Sequence, residues 1–76
     1  MSLSNAKNGD NLILISVNKG TRMKSQLAQL GLIEGTTIKM INQQHRGPVV
    51  IEVLGTRIAI GHNLASQIFV KRIEND

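Results

Sequence analysis

The sequence predicts a mainly β protein, a small five-stranded barrel with one α-helix at about 21–30 and a short helical turn at about 62–67. Three observations carry this reading. Apolar and polar residues alternate with a period of two through three segments in the second half of the chain. A single stretch has a helical stripe that ends on a glycine. Five short strands in 76 residues would leave long exposed edges in a flat sheet, and closing the sheet removes most of that liability.

Residues 1–8 are small and polar and read as a flexible lead-in to a single domain over 9–73. Asn8-Gly9-Asp10-Asn11 is a turn cluster. Leu12 to Val17 is a short apolar run rich in β-branched residues. It reads as a strand, buried on both faces over part of its length. Asn18-Lys19-Gly20 breaks it. The period then changes: Met23, Leu27 and Leu30 lie on one face of a helix, with Arg22, Lys24, Gln26 and Gln29 opposite. Thr21 is the candidate N-cap. Gly31 is placed to end the helix in a left-handed conformation, which sets Leu32 back against Leu27.

Glu34-Gly35 then forms a turn. Strands are expected at 36–42, where Ile38 and Met40 alternate with polar neighbours; at 49–54, through Val49, Ile51 and Val53; and at 56–60, through Ile58 and Ile60. The segment 43–48 is the longest loop, and Gly55 makes a tight turn. Gly61-His62-Asn63 opens the short helical turn, and Ile68 and Val70 mark a last strand. Residues 74–76 read as a frayed tail. The expected core is Leu14, Met23, Leu27, Leu30, Leu32, Ile38, Met40, Val49, Ile51, Val53, Ile58, Ile60, Leu64, Ile68 and Val70.

Composition narrows the possible functions. There is no cysteine, so disulfides and cysteine zinc sites are excluded. The longest purely apolar run is four residues, Leu12 to Ile15, far below the roughly 20 a spanning helix needs. No secretory signal is visible, and a cytoplasmic location is expected. Nine Lys and Arg against five Asp and Glu give a formal charge of +4. That charge permits an acidic partner, but the basic residues are scattered along the chain.

No reaction motif is present, so no catalytic residue is assigned and no enzymatic activity is expected. Lys19-Gly20-Thr21 looks like the end of a phosphate loop but lacks the upstream glycine. His45 and His62 are 17 positions apart in sequence, with no carboxylate near either at ligand spacing. They read as solvent-facing, with no metal or cofactor site. Met23 and Met40 read as core. Small barrels often bind nucleic acid, but single-strand binders present stacking aromatics, and here Phe69 is the one aromatic residue.

That Phe69 is a candidate contact residue. With Ile68 and Val70 inward, Phe69, Lys71 and Ile73 point outward and form one candidate partner-binding surface. Arg22 and Lys24, on the polar helix face, form a competing one.

Leu27-Ala28-Gln29-Leu30-Gly31-Leu32-Ile33-Glu34-Gly35-Thr36 resembles the L-x-x-L-G-[LI]-x-x-G-x signature of the FeoA family. Pro48 to Ile60 resembles that family's P-x-x-[IV]-x-[VL]-x-G-x-x-[IL]-x-[IL] stretch, and Ala65 to Val70 its A-x-x-I-x-V close. Glu34 stands where many members carry proline. The three segments occur in the family's order and span about residues 9–72. The resemblance implies an SH3-like barrel and a cytoplasmic accessory role in bacterial ferrous iron uptake. It also implies the partner: the cytoplasmic part of the FeoB transporter, and with it the membrane only indirectly. A homo-oligomer is compatible with this. The same fold is similar to the C-terminal domain of metal-dependent repressors of the diphtheria toxin repressor type. A metal-sensing accessory role is therefore an alternative, beside nucleic-acid binding.

Overall fold

The computed structural model describes residues 1–74. Its elements are a 3-10 turn (Leu3–Asn5), β1 (Asn11–Val17), α1 (Thr21–Gln29), β2 (Thr37–Gln43), β3 (Val49–Val53), β4 (Thr56–Ile60), the one-turn α2 (His62–Ala65) and β5 (Ile68–Arg72). The five strands form one antiparallel sheet in the order β4-β3-β2-β1-β5. This is the mainly β, SH3-like arrangement expected, with α1 between the first two strands. Closure is incomplete, because β4 and β5 lie at opposite ends of that order.

Alternation places the core. Leu12 and Leu14 of β1, Ile38 and Met40 of β2, Val49, Ile51 and Val53 of β3, Ile60 of β4, and Ile68 and Val70 of β5 are all buried. Met23, Ile58 and Leu64 pack against this cluster while partly exposed. One face of β1 is buried rather than two: Ile13 is half-buried and Ile15 is exposed. Strand alternation sets both on the face opposite Leu12 and Leu14, and a register shift between Leu14 and Ser16, a bulge, leaves Ile15 unpaired with β5 as well. A second bulge lies between Met40 and Asn42 of β2.

The end of α1 follows the sequence closely. Gly31 has φ +92°, the Gly31 N–H donates to the Ala28 carbonyl at 3.0 Å, and the Leu32 N–H to the Leu27 carbonyl at 2.9 Å. Those two bonds define a Schellman motif, and they bring Leu32 into the buried cluster beside Leu27. The start of α1 differs from expectation. Thr21 is already helical, and the extended cap residue is Gly20, with no side-chain capping bond. Leu30 also differs. It is 49% exposed, because the helix stops there and the reversal at Gly31 gives the next core position to Leu32.

The first residues are a larger correction. The segment read as a loose lead-in is packed. Leu3 and Ala6 are buried in the core cluster, and Ser4 is buried beside them. The Val70 N–H donates to the Met1 carbonyl at 2.8 Å, the Met1 amine donates to the Val70 carbonyl at 3.1 Å, and Ser2 bridges Phe69. The Gln43 side-chain amide donates to the Ser4 carbonyl, and the Gln43 backbone N–H to Asn8 Oδ1. Of the tail 74–76, Glu74 is exposed beyond β5, and the other two residues lie outside those described.

Candidate partner-docking surfaces

The surface expected on the last strand is only partly assembled. In β5, Ile68 and Val70 point inward as alternation requires, and Lys71 is exposed. Phe69 is half-buried, opposite Ser16 of β1 on one side and bridged to Ser2 on the other. Ile73 is half-buried at the far end of the strand, its N–H donating to the Asn11 carbonyl. It borders a groove of about 520 Å³ on the outer sheet face, together with Thr37, Lys39, Glu52 and Leu54. Phe69 and Ile73 are four steps of extended chain apart, about 13 Å. They therefore mark two ends of a face rather than one compact patch.

The helix surface is more basic. Lys19, Arg22 and Lys24 are all exposed, and the first turn of α1 contains no acidic residue. Positive charge at a helix N-terminus adds to the macrodipole instead of offsetting it, so this end concentrates positive potential. Lys24 lines a groove of about 420 Å³ whose apolar wall is Leu14, Val17, Ala28, Leu32 and Ile33. Ser16 lines the same groove, which places the helix surface next to the Phe69 end of β5. Arg22 is not part of that lining.

A third surface was not foreseen. Leu54 and Gly55 connect β3 to β4, and the register closes with Val53 opposite Thr56. Both linking residues have positive φ, +52° and +76°. This is a type I′ turn, which ordinarily takes Asn, Asp or Gly at its first position. Leucine there is strained, and this one is 80% exposed. Its side chain lies over Gly31: a Cβ on that glycine would sit 2.7 Å from Leu54 Cδ1. Leu30, which precedes Gly31, is 49% exposed, and Ile33, two positions after it, is 54% exposed. The signal was present as a Leu-Gly pair between two alternating segments, but reading Leu54 as the end of a strand concealed it. Leu54→Asn is expected to stabilise the fold by about 1 kcal/mol, since asparagine tolerates the left-handed region. Thermal denaturation checks this, and a lower melting temperature would show that the contact with Gly31 outweighs the strain.

The histidines are separate features. His45 is exposed in the β2–β3 loop, and His62 is half-buried at the first position of α2. Among the described residues, no group of three or more His, Asp or Glu side chains is placed to hold a metal ion. Among the described residues two ion pairs occur, the exposed Arg57 with Glu52 at 3.9 Å, and Arg72 with the largely buried Asp10 at 3.7 Å. An exposed pair such as the first contributes little to stability. No described helix is long and apolar enough to cross a membrane.

The described residues thus form a small SH3-like sheet with grooves on its surface. The FeoA domain family matches residues 1–72, and the chain belongs to that family. It is 36% identical over 72 residues to a Methanocaldococcus jannaschii protein named as a candidate Fe(2+) transport protein A, covering 95% of this chain and 87% of that one. A crystal structure of an iron uptake regulatory protein, FeoA, superimposes with a TM-score of 0.89 at 33% identity, covering 96% of this chain and 97% of that one. The solution structure of FeoA from Chlorobium tepidum gives 0.87 at 28% identity, over 100% and 73% of the two chains. ScaR with bound Zn2+ gives 0.83 at 28% identity, but the matched region is only 37% of that longer chain.

Proposed function

We propose that this chain is a cytoplasmic accessory and regulatory protein of ferrous iron uptake, binding the cytoplasmic part of a FeoB-type transporter through protein–protein contacts. The observation that carries the reading is near full-length similarity to FeoA. One FeoA chain matches over 97% of its length at 33% identity, so the likeness is not confined to a shared barrel. The reading assigns the chain no chemistry of its own. It also uses features the fold leaves outside the core: the exposed Leu30 and Leu54, which line one groove, and the cations at the start of α1. Exposed apolar side chains close together on a small domain mark contact surfaces more often than chance scatter does.

A pull-down with the transporter's cytoplasmic domain tests this, run beside a nucleic-acid titration at two salt concentrations. Capture of the transporter domain is expected, without tight nucleic-acid binding. Tight, salt-sensitive RNA or DNA binding with no transporter contact would replace the reading with a nucleic-acid-binding one. The likeness to ScaR favours one further alternative, a metal-sensing domain. Calorimetry with ferrous or zinc ion addresses it, and stoichiometric micromolar binding would establish it.

A further inference from the structure

We propose that the outer edge of β4 is a strand-addition site. Its occupant is an extended, uncharged apolar segment of the partner, seated between β4 and the last turn of α1. The inference rests on the partner-binding reading above and assigns it a surface. The two edges of the sheet are treated differently. The β5 edge is covered by the chain itself, since Met1 exchanges hydrogen bonds with Val70 in both directions. Among the described residues nothing covers the β4 edge in this way. A two-residue hairpin makes its flanking pair, Val53 and Thr56, hydrogen-bonded, and Ile51–Ile58 and Val49–Ile60 then follow in the same phase. The N–H and C=O groups of Arg57 and Ala59 therefore point away from β3. Among the described residues neither makes a backbone bond outside the ladder. That leaves two donors and two acceptors, repeated about 7 Å apart, in the pattern a further strand would match.

The edge also adjoins a place for side chains. A groove of about 410 Å³ runs beside it, lined by Ala28, Leu30, Gly31, Leu54, Thr56 and Ile58 among others. Among the described residues no charged one lines it, although 18% of the chain is charged. Leu30 and Leu54 stand exposed on its wall, and Leu54 is held there in a strained conformation. A charged side chain entering this groove would lose hydration with no opposite charge to meet it, so complementarity selects uncharged, apolar residues. A second copy of the chain fits less well. Pairing two β4 edges about a two-fold axis puts both Arg57 side chains on one face of the joined sheet, within about 8 Å. A five-residue edge about 17 Å long is also far from the roughly 800 Å² per partner of a stable interface between two folded copies. An extended segment can use the edge and the groove together.

The test titrates isotopically labelled protein with the transporter's cytoplasmic domain and follows hydrogen exchange and affinity. The amides of Arg57 and Ala59 are expected to gain at least tenfold protection on binding. Ala59→Pro removes an edge donor that the fold does not use, at the kind of position where proline is tolerated. It is expected to weaken binding at least tenfold with the circular dichroism spectrum unchanged. Leu54→Asn, which relaxes the turn, is expected to weaken binding several-fold without loss of melting temperature. Should Ala59→Pro fail to fold, the wild-type protection pattern and Leu54→Asn decide the matter. Protection at Arg22 and Lys24, or at Phe69 and Lys71, with affinity unaffected by both variants, overturns the inference and leaves the partner-binding reading standing. No binding by the wild-type chain overturns both. Self-association without the transporter that Ala59→Pro abolishes gives the edge to a second copy, and also overturns the inference.

Discussion

Leu3→Ala is expected to lower stability by about 2–5 kcal/mol. Leu3 is fully buried although it lies at the edge of the sequence, where few residues normally hold tertiary contacts. Its side chain belongs to the same cluster as Leu12, Leu14, Ile68 and Val70. Truncation therefore opens a cavity in the one core the domain has. A domain of this size is stable by about 4–11 kcal/mol, so the loss is a large fraction of the whole. Denaturant unfolding measures it, and a loss under about 1 kcal/mol would mean that the first residues contribute little to the fold. Exchange protection of the Val70 amide should fall in parallel, because its bond to the Met1 carbonyl depends on the same segment.

The second large effect is Leu27→Ala, also about 2–5 kcal/mol. Leu27 is the one buried residue of α1. The helix has nine residues, no side-chain N-cap and no acid in its first turn, and a helix this short does not persist in water without packing. Loss of Leu27 removes the anchor and also the contact behind Leu32. The variant should lose helical ellipticity at 222 nm at a lower temperature than sheet signal. A single transition with both signals coincident would show that helix and sheet still unfold together.

Most of the fold was legible because it is written in two periods. The alternation through Ile38–Met40, Val49–Val53 and Ile68–Val70 carries register directly, and the Leu27–Gly31–Leu32 cap is a local signal with one geometric solution. What escaped was what depends on distant chain. Leu3 is a single apolar residue among small polar ones, with no period to reveal it, and its burial is decided by β5, over sixty residues away. Leu30 continues the helical stripe in sequence, but the reversal at Gly31 takes it out of the core. The candidate surfaces were less legible still. Phe69 stands out in the sequence as its one aromatic residue, yet Ser2 and Ser16 lie to either side of it. Leu54 and the uncovered β4 edge needed the hairpin's phase, which composition does not contain.

The strand order has a kinetic consequence. β1 sits between β2 and β5, so its pairing with the last strand joins Leu12 to Arg72, sixty positions further along the chain. Closing that loop costs entropy before the contact returns anything, and folds dominated by such distant pairings form slowly. During synthesis, β1 emerges early and waits for β5 with Leu12 and Leu14 uncovered, while Leu3 and Ala6 wait for the same strand. The β2–β3–β4 meander, by contrast, has short connections and can form first. The domain is therefore expected to gain its middle before its ends, with closure of β1 on β5 as the late, rate-setting event.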